Sequence, residues 1–215
     1  MVIIECTQGS DVWHETRCGV ITASKVGEAL EVVNKGKKNE KPSAKAELYA
    51  TQVAMERISK KPCQAIFNSW QMKQGTERES DARIAYEAET GNMATESGIV
   101  LTDDRLFGYS TDGFIEDDGF IEIKCLASPV LVRDILLTED LSDYMHQIQT
   151  GLWITGRKWC DFVMYVPELE NAGNQLFIKR VLRDENFIDE MVDGLVKFEK
   201  VVSMNENIFR MKKES

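Results

Sequence analysis

Two periods alternate along the chain. Over most of the first 90 residues apolar positions recur every three to four residues, as on one face of a helix; in stretches beyond that they recur every second residue, as in strands, with helical spacing returning between and after them. In "SDVWHETR" Ser10 is placed to cap a short helix carrying Val12, Trp13 and Thr16, and Gly19 to end it. "TASKVGEALEVV" predicts a second helix, capped near Thr22 or Ser24, with Val26, Ala29, Leu30 and Val33 on one face. "NKGKKNEKPS" reads as a loop and "AKAELYATQVAMERI" as a strong helix. A fourth helix is expected from Thr76 to Thr90, closed by Gly91, with Thr76 and Glu79 at capping-box spacing.

The stretch "SGIVLTDDRLFGYSTDGFIEDDGFIEIKC" is strand-rich, with Asp-Asp-Gly at 117–119 as a hairpin turn. "SPVLVRDILL", with Pro129 at an early helical position, and "SDYMHQIQTGLWIT" return to helix. "KWCDFVMYV" and "QLFIKRVL" are two strands joined across "ENAGN", and a last helix runs from about Glu185 to Ser203. The expectation is an α/β protein, a small mixed β-sheet flanked by helices, forming one domain over residues 1–215.

Composition narrows the class. Apolar residues at 43% and charged residues at 29% describe a globular chain. No apolar run approaches the ~20 residues of a membrane span, and the start lacks the basic n-region of a secretory signal. A cytoplasmic protein with no membrane contact is therefore expected. The five cysteines are odd in number and contain no CxxC, which argues against disulfides, zinc or an iron–sulfur cluster and for buried reduced thiols. Two histidines, His14 and His146, are too few for a His-rich metal site and are expected to be hydrogen-bonded and structural. Trp13 and Tyr144 are expected in the core.

Charge complicates the picture. With 26 basic against 36 acidic residues the formal charge is −10, the opposite of what phosphate binding normally draws on. Lys35, Lys37, Lys38, Lys41 and Lys45 nevertheless crowd one segment.

The hairpin carries the chemistry. On a strand Glu122 and Lys124 share a face, while Ile121 and Ile123 point to the other and suit the core. Asp112, on the partner strand, comes close to Glu122. Two carboxylates and an ammonium in one place suit a hard cation such as Mg²⁺, with positions left for water and phosphate, and hence metal-assisted phosphodiester hydrolysis. A cross-strand ion pair on a solvated face would give the same D…ExK spacing.

Four stretches in order add a resemblance. "QGSDVWHETRCGVITASKV", "GTERESDARIAYEAETG", "STDGF…GFIEIKC" and "YMHQIQTGLWITGRKWCDFVMY" together resemble the phage lambda exonuclease family, the YqaJ-like viral recombinase or alkaline exonuclease type, over roughly residues 7 to 166. The resemblance implies a restriction-endonuclease-like core of the PD-(D/E)xK kind. It implies Asp112, Glu122 and the carbonyl of Ile123 as metal ligands and Lys124 acting on the attacking water. Glu79 would lie beside the metal, through water or on a second ion, and Gln147 near the nucleophile. Arg17 and Ser24 would hold a 5′-phosphate, assisted by Ser110. The implied enzyme is a Mg²⁺-dependent 5′-to-3′ exonuclease, with Mn²⁺ as substitute, acting on double-stranded DNA ends. It would form a ring-shaped homotrimer, be phage or prophage encoded, and hand a 3′ single strand to a phage single-strand annealing protein.

Two departures stand out. Thr111 occupies a position where the family often has Pro, and no Arg lies between Arg17 and Arg57 to help part the strands, a task for which Lys35, Lys37 and Lys38 are the substitutes. A restriction-like or repair endonuclease using the same hairpin, and a non-catalytic DNA-end-binding scaffold, are the alternative readings.

Overall fold

A computed structural model describes residues 1–38, 41–63 and 70–211, with the backbone alone over 70–77. In chain order the elements are β1 (Val2–Ile4), α1 (Asp11–Arg17), β2 (Ile21–Thr22), α2 (Val26–Ala29), β3 (Val32–Val33), β4 (Lys41–Pro42), α3 (Ala44–Ser59), α4 (Trp70–Thr90) and β5 (Ala94–Thr95). Then come β6 (Ile99–Leu101), β7 (Phe107–Ser110), β8 (Gly113–Ile115), β9 (Gly119–Lys124), α5 (Pro129–Thr138), α6 (Ser142–Thr155), β10 (Trp159–Tyr165), β11 (Leu176–Leu182) and α7 (Glu185–Arg210). The fold is mixed α/β, with mixed sheets flanked by helices, as expected.

Several boundaries differ from the sequence reading for identifiable reasons. The predicted second helix is a 3₁₀ turn over Ala23–Lys25 and one α-turn, α2, after which Val32 and Val33 pair with β4. Gly27 weakens that helix and the β-branched pair favours a strand. Helix α4 starts at Trp70, so Thr76 lies within the helix and not at its N-terminus. Helix α7 continues to Arg210.

The strands form more than the one small sheet expected. A four-stranded sheet runs β1-β6-β7-β2 and a five-stranded one β11-β10-β9-β8-β5, with β3 and β4 apart. Both larger sheets are mixed: β2 is parallel to β7, and β10 parallel to β9. The chain leaves the first sheet at Ser110 and enters the second at Gly113. Thr111 and Asp112 are the joint. The buried Thr111 hydroxyl lies 3.3 Å from the Ile121 carbonyl and 3.2 Å from that of Gly113, and pins the joint to β9.

Central strand β9 is covered on both faces. Ile121 and Ile123 pack with Val163 beneath Ala82 and Tyr86 of α4. Phe120 faces the main core with Phe162, Ile148 and Leu152. Asp161 fixes α4 over its face: Arg180 grips both its oxygens at 2.7 and 2.8 Å, and the Tyr86 hydroxyl donates to it at 2.8 Å. Burial and this carboxylate push the Tyr86 phenol up to about 12.

The N-terminal segment is tied to the helical layer by Arg57 of α3. Its Nε donates to the Gly19 carbonyl at 2.8 Å, and its two terminal nitrogens grip Glu199 of α7 at 2.6 and 2.9 Å. Gly19 has φ +76°, and a Cβ there would lie 2.7 Å from the Arg57 side chain, so only glycine admits this approach. The side chains of Arg57 and Glu199 are 13% and 17% exposed. Arg57→Ala leaves a carboxylate buried without its partner and should cost about 3 kcal/mol. A calorimetric melt should show the midpoint falling by roughly 6–12 °C.

Candidate active site

Glu122 is the centre of the site and is not solvated. It is 2% exposed, so the solvated ion pair that its spacing also allowed is excluded. The sequence places Glu122 away from the face of Ile121 and Ile123, as found, but that second face is core as well. Three donors hold its carboxylate. Lys124 Nζ, two residues along the strand, donates to Oε1 at 2.7 Å. Gln147 Nε2, from α6, donates to the same oxygen. The buried Tyr109 hydroxyl, from β7, donates to Oε2 at 2.9 Å. Lys124 also lies 3.3 Å from Gln147 Oε1 and 5.9 Å from the Tyr144 ring, which itself packs on Phe162.

Asp112 closes the other side. Its Oδ2 accepts the Ile123 amide at 2.6 Å. The N–H and C=O of one strand residue point to the same side, so the Ile123 carbonyl lies on the Asp112 edge. Burial first, then the negative charges of Glu122 and Glu79, hold the Asp112 carboxyl well above its usual range. Burial also raises Glu79, against the pull of Arg83. Lys124 is pulled down by burial, but Glu122 and Asp112 outweigh it, so its ammonium is held more firmly than usual.

These oxygens fit a hard divalent cation. Three acids, Glu122 buried and Asp112 and Glu79 half-buried, converge with too little positive charge to balance them, which is the deficit such an ion removes. Among the described residues no three Asp, Glu, His or Cys side chains stand in ready ligand geometry. Lys124 and Gln147 occupy Glu122, and the Ile123 amide occupies Asp112. A Mg²⁺-like ion needs only one or two carboxylates plus a carbonyl and water, so two acids and the Ile123 carbonyl suffice.

The other predicted residues gather beside this cluster. Ser110 is two residues before Asp112, and its Oγ accepts the Trp13 indole N–H at 3.0 Å. Trp13 is thus half-buried and bonded to the site as well as packed. Arg17, one turn further along α1, lies over the Trp13 ring at 4.1 Å. Burial lowers its affinity for its proton, and among the described residues its guanidinium has no hydrogen-bond partner. Register in the parallel pair, Ile21 with Phe107 and Thr22 with Gly108, brings Ser24 to the same sheet end as Ser110. Ser24 is exposed and sits within the 3₁₀ turn; it does not act as a helix cap.

Not everything gathers there. Lys35 comes near His146, the neighbour of Gln147, and its charge adds to the burial that lowers His146. Lys37 and Lys38 are exposed and form no ion pair among the described residues. Among the described residues neither imidazole finds the expected hydrogen-bond partner: His14 meets the Trp13 ring edge-on at 4.9 Å, and His146 packs on Phe187 at 5.2 Å. Of the cysteines Cys160 alone is fully buried, and Cys63 is exposed.

A domain model described as YqaJ-like viral recombinase matches residues 12–158 of the chain. The chain belongs to that family. Two crystal structures of an alkaline exonuclease, LHK-Exo from Laribacter hongkongensis, superpose closely on the chain. One has a TM-score of 0.79 at 32% identity, over 94% of this chain and 97% of that one. The other, in complex with dAMP, has a TM-score of 0.81 at 30% identity, over 94% and 96%. A phage related exonuclease from Haemophilus somnus 129PT shares the fold, with a TM-score of 0.68 at 14% identity over 90% and 96%. No curated protein matches the chain. As a YqaJ-like protein it is an exonuclease of phage-type recombination, a class that works with divalent metal ions.

Sequence reasoning missed Tyr109 as a partner of Glu122. A signal existed: a tyrosine central in an apolar strand must find a hydrogen-bond partner when buried.

Proposed function

We propose that this YqaJ-like protein is a Mg²⁺-dependent 5′-to-3′ exonuclease, with Mn²⁺ as substitute. It digests one strand of linear double-stranded DNA from a 5′-phosphorylated end, and the 3′ single strand left behind enters recombination by single-strand annealing. One observation carries the reading: a buried glutamate held by Lys124, Gln147 and Tyr109 faces a second, half-buried acid, Asp112, across a strand edge that offers the Ile123 carbonyl.

Asp112, Glu122 and the Ile123 carbonyl would hold the ion, with Glu79 bound to it through water or to a second ion. Bound there, it would offset the charge that builds on the phosphodiester and make water a better nucleophile. Gln147 orients the attacking water. Lys124, held as an ammonium by its acidic neighbours, steadies developing negative charge in preference to removing a proton. Arg17 is the 5′-phosphate receptor, since a half-buried guanidinium stacked on Trp13 still has its planar fork to offer. Ser24 and Ser110 supply hydroxyls beside it. Lys35, Lys37 and Lys38 form an exposed basic fringe that meets the strand being parted.

An acidic enzyme holds its substrate better by enclosure than by attraction. We therefore take residues 1–215 as one nuclease domain that closes into a homotrimer ring around the duplex, its acidic remainder facing out. It would work in the cytoplasm of a bacterial host, phage or prophage encoded, beside a phage annealing protein. No helix among the described residues is long and apolar enough to cross a membrane.

The test is an assay of end-labelled linear duplex, with and without 5′-phosphate, in Mg²⁺ and then in EDTA. Digestion should prefer the phosphorylated end by at least about tenfold, as a charge-assisted bidentate contact warrants, and stop on chelation. Cutting of a closed circle would turn the assignment to the endonuclease alternative, and no hydrolysis in any ion to the end-binding scaffold.

A further inference from the structure

Beside the carboxylates a cleft of about 460 Å³ runs away from Glu79 and Asp112, past Ser80 and Arg83 of α4, to Glu96 and Ser97 ahead of β6. Arg83 is four residues after Glu79 and so on the same face of the helix. Its side chain is 18% exposed. Its Nη1 pairs with Glu96, whose own side chain is 76% exposed. Its Nε is, among the described residues, the one buried side-chain nitrogen or oxygen with no hydrogen-bond partner.

Buried donors in native proteins are almost always satisfied, and an exception calls for a ligand or a function. Because Glu96 takes Nη1, the unpartnered edge of Arg83 is the one formed by Nε and Nη2. That edge grips two oxygens of a phosphate side by side. The hydroxyls of Ser80 and Ser97 line the same cleft. A free carboxylate ligand would meet Glu5, Glu79, Glu96 and Asp112 with no second cation in the lining; a phosphodiester, tethered by the rest of its strand, is brought there regardless.

We propose that this cleft is a second phosphate subsite, distinct from Arg17, in which Arg83 binds an internucleotide phosphate next to the bond being cut. The subsite rests on the nuclease reading above. It sets the register of the strand over Asp112 and Glu122, while Arg17 reads the terminal phosphate at the far side of Ser110.

The experiment uses linear 5′-phosphorylated duplexes, each with a single neutral methylphosphonate at one linkage other than the one first cut. Release of the first nucleotide is followed in Mg²⁺ for the wild type, Arg83→Gln and Arg83→Lys. In the wild type one position should raise KM about tenfold or more. In Arg83→Gln that same substitution should change KM less than about twofold, because the contact is already gone; Arg83→Lys, with charge but no fork, should fall between. A wild type indifferent to every methylphosphonate, or variants with the wild-type pattern of sensitivity, would overturn the subsite while leaving the nuclease standing. Failure of the wild type to release any nucleotide from unmodified duplex would instead bring down the nuclease reading, and this inference with it. If Arg83→Gln does not fold, the wild-type scan and Arg83→Lys decide.

Discussion

Lys124→Ala should fold, bind duplex ends and hydrolyse them about 10²–10³-fold more slowly than the wild type, the range for losing one fixed donor to developing negative charge. The argument is geometric. Lys124 Nζ touches Glu122 at 2.7 Å and Gln147 at 3.3 Å, so it is oriented where acid, amide and ammonium meet. Its side chain is only 24% exposed, and its removal leaves Glu122 still held by Gln147 and Tyr109. Stability should therefore change far less than rate. Binding of a labelled duplex in EDTA and a thermal melt separate the two. An unchanged rate would show that the site has been placed wrongly.

How much of this was legible can be judged residue by residue. The hairpin was, because alternation and a turn of Asp-Asp-Gly define it locally; Asp112, Glu122 and Lys124 meet as the spacing required. Gln147 was found only through the resemblance, since an isolated helical glutamine carries no local signal. The burial of Glu122 was not legible. Whether the second face of a strand meets water or a helix depends on where α6 lands, and that is a long-range packing outcome. The same holds for the first sheet, whose strands β1 and β6 are nearly 100 residues apart. Ser24 was misread for a local reason: cap spacing at Thr22 and Ser24 is common to α-helices and 3₁₀ turns. Asp161 sat in plain view, a charge inside an apolar strand, yet nothing in sequence distinguishes an acid clamped by Arg180 and Tyr86 from one awaiting a metal.

Asp112→Asn should abolish the metal response and hydrolysis together, while making the metal-free protein more stable. In the wild type the carboxyl of Asp112 is drawn out of water beside the charges of Glu122 and Glu79, and its folded pKa lies above its unfolded value. The folded state then binds more protons than the unfolded state, so stability falls as pH rises from the unfolded pKa of about 3.9 toward the folded one, and levels off above it. Asparagine removes that loss. Its oxygen can still accept the Ile123 amide, and its Nδ2 offers Glu79 a donor in place of a like charge. In EDTA the variant should therefore melt above the wild type at neutral pH and match it below about pH 4, each kcal/mol gained raising the midpoint by roughly 2–4 °C. Added Mg²⁺ should reverse the order, because it stabilises only the protein that binds it. A variant that melts lower than wild type in EDTA would mean that the Asp112 carboxylate is a structural partner. One that still gains stability from Mg²⁺ would mean that the ion is held elsewhere.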